Sequence, residues 1–155
     1  MRILIIEDDE EKIGDLIDWV KLAYDSPTVL QARSLHTGKS AALDKSIDLI
    51  LLDMTMRNYE RSVEEEGGRP HFFAGREILR RMSRERVATP VIVVTQFDRF
   101  GDEDDYRTLA ELKNELLSRF SNYVGTIHYR ANVDDWRSML NDMVGGVLSK
   151  KEELK

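Results

Sequence analysis

The sequence predicts an α/β protein built on a doubly wound parallel sheet, and three observations carry that prediction. Short continuous apolar runs (ILII at 3–6, LILL at 49–52, VIVV at 91–94) have the character of strands covered on both faces. The stretches between them place apolar residues at helical spacing. Strand and helix then alternate along the whole chain, which is the pattern of βαβ units. At 155 residues the chain corresponds to about one domain. A domain of that size buries roughly two-thirds of its unfolded surface.

The first strand is Arg2–Ile6, bounded by acids. Ile13, Leu16, Ile17, Val20 and Tyr24 then share one face of a helix that Pro27 stops. Thr28–Ala32 reads as a second strand, and a short helix around Lys39–Lys45 follows Thr37 as its N-cap. Leu49–Leu52 is the third strand and ends in Asp53. Residues 54–72 read as an irregular polar loop containing Gly67, Gly68 and Pro70. Ile78, Leu79 and Met82 mark the next helix, which ends before Pro90. Val91–Val94 is a fourth strand capped by Thr95. Leu109, Leu112, Leu116 and Phe120 stripe a long helix from about Asp104 to Ser121. Gly125–Tyr129 is the fifth strand. The last helix starts near Val133 behind Asn132, with Trp136, Met139, Leu140, Met143 and Val147 inward and Gly145-Gly146 weakening its end. The domain is expected to span 1–148, with an insertion at 54–73 and a loose tail at 149–155.

Composition narrows the function. Lys+Arg 23 against Asp+Glu 29 leaves a net charge of −6, a poor basis for neutralising nucleic-acid phosphates. The absence of cysteine removes disulfides, thiolate metal sites and a cysteine nucleophile. No apolar run approaches the roughly 20 residues that cross a bilayer, and MRILIIEDDE has the wrong flank for a signal peptide. A cytoplasmic protein without membrane insertion or nucleic-acid binding is expected.

In an open parallel sheet, ligands bind beyond the carboxyl ends of the strands. Glu7, Asp8 and Asp9 follow the first strand, Asp53 the third, Thr95 and Gln96 the fourth, and Tyr129 and Arg130 the fifth. Adjacent strands lie about 4.8 Å apart, so acids from the first and third strand ends should converge. Such a cluster is relieved by a divalent cation, since like charges in contact raise one another's pKa. Magnesium suits oxygen ligands and keeps waters for an incoming phosphoryl group. A carboxylate beside it can act as a nucleophile toward phosphorus.

These motifs resemble the response-regulator receiver (CheY-like) domain of two-component signalling over nearly the whole length. The matching segments are IIEDD after strand one, LILLD at strand three, GREILRRM opening helix three and VIVVT at strand four. The resemblance implies a flavodoxin-like (βα)5 fold with strand order 2-1-3-4-5. It further implies that Asp53 is the phosphoacceptor and that Asp8 holds magnesium directly and Glu7 through water. It makes the backbone carbonyl of Thr55 a further metal ligand and Thr95 the switch hydroxyl. It also implies a histidine kinase or phosphotransfer protein as phosphodonor and a downstream protein as target, with homodimerisation through the helix 4–strand 5–helix 5 face.

The departures are specific. The family has a lysine after strand five; here IHYRANVDDW offers Tyr129 at that position, or Arg130 if one residue is deleted. The interval from Asp53 to Thr95, 95 − 53 = 42 residues, is longer than the family's usual one, and so is that from Thr95 to Arg130. Both long connections leave the carboxyl edge of the sheet, where long loops are often functional. Gln96 is bulkier than the family's usual residue there.

Plainer roles exist for most of these residues. Asp8 with Glu11 forms a capping box without metal, and Asp53 alone is an ordinary turn residue. His71, with Arg61 and Arg69, either supplies positive charge over the pocket or sits in a solvated loop. His36 and His128 lack metal-ligand spacing, and the acidic runs at 64–66 and 102–105 read as solvated. The expected function is a magnesium-dependent phosphoacceptor module and not an enzyme beyond self-phosphorylation and dephosphorylation. One alternative is a phosphorylation-independent pseudo-receiver that works as an interaction domain. A lower-ranked one is a magnesium-dependent phosphohydrolase, which needs a general acid two residues past Asp53, where Thr55 stands.

Overall fold

The structure is a computed structural model that describes residues 1–60, 70–104 and 106–154. Arg61, Arg69, the acidic run at 64–66, Gly67, Gly68 and Asp105 lie outside the described residues. Five parallel strands, β1 (Arg2–Ile6), β2 (Thr28–Ala32), β3 (Leu49–Leu52), β4 (Val91–Thr95) and β5 (Tyr123–His128), form one sheet in the order β2-β1-β3-β4-β5. Helices α1 (Glu10–Ala23), α2 (Leu35–Ala41), α3 (Ala74–Arg84), α4 (Leu109–Arg119) and α5 (Asp135–Glu153) cover both faces.

The continuous apolar runs are explained by the pleat. Side chains alternate between faces along a strand, and here both faces are cores. Leu4, Ile6, Ile50 and Leu52 pack with Ile78, Leu79, Leu112 and Leu116 from α3 and α4. Ile3, Ile5, Leu49 and Leu51 pack with Leu16, Trp19, Trp136 and Leu140 from α1 and α5. Burying each such side chain is worth about 1.5–3 kcal/mol.

The helix boundaries differ from expectation where polar caps compete. Asp9, not Asp8, caps α1, accepting from the Lys12 amide at 2.9 Å. Ser34, not Thr37, caps α2, so that helix begins earlier than the expected 39–45. The expected start of the fourth helix is instead the second strand of a hairpin, in which Tyr106–Thr108 pairs antiparallel with Arg99–Gly101 from the preceding loop. Phe100 anchors it, fully buried in the α3/α4 core, and Thr108 caps α4 only after the hairpin closes. In the other insertion, Met56–Arg57 pairs antiparallel with Pro70–His71, so part of the expected irregular loop is a short ladder.

The last helix begins at Asp135, not behind Asn132. Its glycine pair lies mid-helix, and it runs to Glu153 through the residues expected to form a loose tail. There Lys151 Nζ donates to the Asp48 carbonyl at 3.2 Å. Met139, expected inward, is exposed.

Gly75 is dictated by packing. An added Cβ would stand 2.7 Å from the Asp53 carbonyl oxygen and about 3 Å from Met54. Its amide donates to Met54 O at 3.0 Å, which pins the start of α3 against the end of β3. The motif glycine thereby positions the backbone that carries Asp53.

Candidate functional site

Glu7 leaves the end of β1 and folds back on its own turn. Its Oε1 accepts from the amides of Asp8 and Asp9, each at 3.0 Å. That turn sets the N-terminus of α1, where Asp9 caps. Asp8 is left free of capping duty and turns toward the first insertion, where its Oδ2 accepts from the Arg57 amide at 3.1 Å. The Arg57 Nε stands 3.9 Å from the same oxygen.

Asp53 sits at the end of the adjacent strand, its amide bonded to Ile6 O at 2.9 Å. Its Oδ1 accepts from the Met54 amide at 2.8 Å. Carboxylate oxygens of Glu7, Asp8 and Asp53 lie within 4.8 Å of one another. The expected convergence of two strand ends is therefore present. One of the buried oxygens, Asp53 Oδ2, lacks a hydrogen-bond donor.

One cation in the cluster was not anticipated. Lys12, in the first turn of α1, is 1% exposed and points its ammonium into the acids. Its Nζ lies 2.5 Å from Glu7 Oε2 and 3.3 Å from Asp53 Oδ1. It also donates to Val94 O at 2.6 Å and to Gln96 Oε1 at 3.0 Å. The sequence carried a signal for it. Lys12 falls in phase with Leu16, Trp19 and Val20, so a charged residue occupies the buried stripe of an amphipathic helix.

Burial raises the Glu7 carboxyl well above its ordinary value, with Lys12 opposing and the Asp53 charge adding to the rise. Burial also raises Asp53, against Lys12 and the hydrogen bonds to its carboxylate. For Lys12, burial pulls the ammonium down, but Asp53 and Glu7 more than reverse this and leave it raised.

The remaining expected residues take different places. Thr95 is fully buried, and its Oγ1 accepts from the Phe97 amide at 3.2 Å. Thr55 Oγ1 donates to Phe72 O at 3.1 Å, so its hydroxyl is turned to the insertion ladder and offers no general acid. At the end of β5, Tyr129 is buried and its hydroxyl donates to Asp15 on α1. Its ring centre lies 5.8 Å from Lys12 Nζ. Arg130 is exposed. His71 Nδ1 accepts from the Phe73 amide at 3.1 Å within its own turn. Above the cluster lies a cleft of about 220 Å³ lined by Asp8, Asp9, Thr55, Met56, Arg57, Gln96 and Phe97. Asp53, 2% exposed, lies outside that lining.

Comparison with known proteins agrees with this architecture. No family model matches the chain. An uncharacterized protein, y4jR, of Sinorhizobium fredii is 33% identical over 145 residues, covering 92% of this chain and 95% of its own. The Detocs response regulatory protein DtcB of Enterobacter cloacae is 30% identical over 143 residues, covering 90% and 95%. Among solved structures, a response regulator receiver domain protein from Clostridium thermocellum superposes with a TM-score of 0.63 at 20% identity, over 99% of this chain and 98% of that one. With its (βα)5 sheet, the acids at the ends of β1 and β3, and a relative of this identity across nearly its full length, the chain belongs to the response regulators and is a receiver domain of the two-component type.

Proposed function

We infer that this receiver domain is a phosphoacceptor that takes a phosphoryl group on Asp53 from a histidine kinase or phosphotransfer partner. The observation that carries the reading is the buried Asp53 Oδ2, left without a donor inside a three-carboxylate cluster. Three carboxylates stand against the Lys12 ammonium and the Arg57 guanidinium, whose Nε lies 3.9 Å from Asp8, so negative charge is in excess. A magnesium ion suits that excess and this all-oxygen donor set. Asp8 and Asp53 would hold it with the Thr55 carbonyl, and Glu7 through water. When bound, it offsets the charge that develops on the transferring phosphoryl oxygens.

In the transfer, a carboxylate oxygen of Asp53 forms a bond to phosphorus while the bond from phosphorus to the donor's imidazole nitrogen breaks. The imidazole leaves with the electron pair and takes a proton from water. In this reading Thr95, one strand away, hydrogen-bonds the product. The regulatory name of the Enterobacter relative supports a signalling role over a catalytic one. Output through the α4–β5–α5 face, including a homodimer there, is supported by the exposed Leu117 and Val124.

A second reading has its own observation. Lys12 already places a cation between Glu7 and Asp53, and Asp53 is almost inaccessible, as suits a domain that keeps the fold without the phosphorylation. Incubation with magnesium and acetyl phosphate followed by intact mass measurement separates the two. A single phosphoryl adduct that Asp53→Asn abolishes supports the phosphoacceptor. No adduct, with no magnesium-induced NMR shift at Glu7, Asp8 or Asp53, supports the pseudo-receiver.

A further inference from the structure

Among the described residues, Lys12 is the one buried lysine or arginine. An ammonium has three hydrogens to donate, yet four acceptors surround this one: Glu7 Oε2 at 2.5 Å, Val94 O at 2.6 Å, Gln96 Oε1 at 3.0 Å and Asp53 Oδ1 at 3.3 Å. One acceptor is always short of a proton, so small shifts of the ammonium exchange partners at little cost. The end of β5 contributes an aromatic face below it and no charge, because the Tyr129 hydroxyl is turned away to Asp15. Arg57, the other nearby cation, faces Asp8.

We propose that Lys12 is the cation that binds the phosphoryl group on Asp53, and that it couples that group to the loop after β4 by letting go of Gln96. The proposal rests on Asp53 being the phosphoacceptor. As Asp53 Oδ2 forms its bond to phosphorus, the bond to the donor's leaving atom breaks and that atom keeps the electron pair. Lys12 remains protonated throughout and donates to a phosphoryl oxygen. The phosphoryl group carries more negative charge than the carboxylate it replaces, whereas Gln96 offers only an amide dipole. The attraction of two opposite charges in a buried site exceeds that of a charge for an amide dipole, so the ammonium leaves Gln96 Oε1. Gln96 continues into Phe97, whose amide is held by Thr95 Oγ1 and whose ring is exposed, and then into the hairpin anchored by Phe100. Release of Gln96 therefore reaches a surface segment within one residue.

The test follows wild type, Lys12→Met and Asp53→Asn with acetyl phosphate and magnesium, by intact mass over time. NMR of the lysine ε-methylenes and of the Gln96 and Phe97 amides accompanies it. Lys12→Met is expected to slow adduct formation by about a hundredfold, the scale for losing one charge-stabilising donor. In wild type, the Lys12 ε-methylene and Phe97 amide signals are expected to move on phosphorylation, but not with magnesium alone nor in Asp53→Asn. A Lys12 signal unmoved by phosphorylation overturns the proposal even if Lys12→Met fails to fold, and so does Lys12→Met phosphorylated at the wild-type rate. Wild type that accepts no phosphoryl group overturns the phosphoacceptor reading and this proposal together, whereas an adduct with a silent Lys12 overturns this proposal alone.

Discussion

At the carboxyl end of β1, Glu7 is held by two amides of its own turn, Asp8 by an amide of the insertion, and both face Asp53 on the next strand. At the carboxyl end of β5, on the same edge of the sheet, Tyr129 carries no charge and sends its hydroxyl to Asp15 on α1. The charge that the second end lacks arrives from α1 as Lys12, stacked 5.8 Å from the Tyr129 ring. The contrast shows what is tied to position and what is not. An acid that must meet another acid is fixed by strand adjacency. A long, flexible side chain needs only to reach the same volume, and any helix packed against that edge can supply it.

The largest expected effect is on the cation. Lys12→Ala leaves Glu7 and Asp53 buried without their partner and should cost about 3–5 kcal/mol in urea unfolding. Adding Glu7→Gln should recover part of that loss, and a Lys12→Ala variant as stable as wild type would mean that the two strand ends do not share their charge. Next comes the backbone beneath the acids. Gly75→Ala places a Cβ 2.7 Å from the Asp53 carbonyl and should cost about 1–3 kcal/mol, with amide shifts at Asp53 and Met54. Tyr129→Phe removes only the bond to Asp15, so a loss of about 1 kcal/mol with unchanged phosphorylation is expected. A Tyr129→Phe variant that no longer takes the phosphoryl group would return the end of β5 to the reacting site.

The gentlest probe is pH. Glu7 is raised from 4.5 and Asp53 from 3.8 on folding, so the native state binds those protons more tightly than the unfolded chain. Their contribution is complete below the ordinary carboxylate range and is lost as pH rises through the raised values. Lys12 is raised from 10.5, so its contribution persists across neutral pH. Without metal, stability should therefore decline from the acid range toward neutrality; Glu7→Gln or added magnesium should flatten the decline.

Much of the scaffold was legible because its signals are local. The runs ILII, LILL and VIVV read as doubly covered strands, while their sheet order is what the receiver-domain resemblance implies and the sheet has it. Helix starts were less legible: Asp8 or Asp9, and Thr37 or Ser34, are equally good caps in isolation, and the choice depends on where the preceding strand delivers the chain. The expected helix starts at about Asp104 because Leu109 and Leu112 open a helical stripe, but Tyr106–Thr108 instead closes a hairpin held by the buried Phe100. Within the site, Glu7, Asp8 and Asp53 were named from their places at strand ends. Lys12 was passed over, although its position in the buried stripe of α1 marked it.

From sequence alone came the parallel sheet, the two cores on its faces and the meeting of three carboxylates at one edge. These depend on periodicity and on a spacing between strands that barely varies. The tertiary structure alone decided which cation answers those acids. Residues 12 and 53 are far apart in the chain and no local pattern links them. Only the docking of α1 on the sheet brings the ammonium within 3.3 Å of Asp53, where burial makes that pairing obligatory.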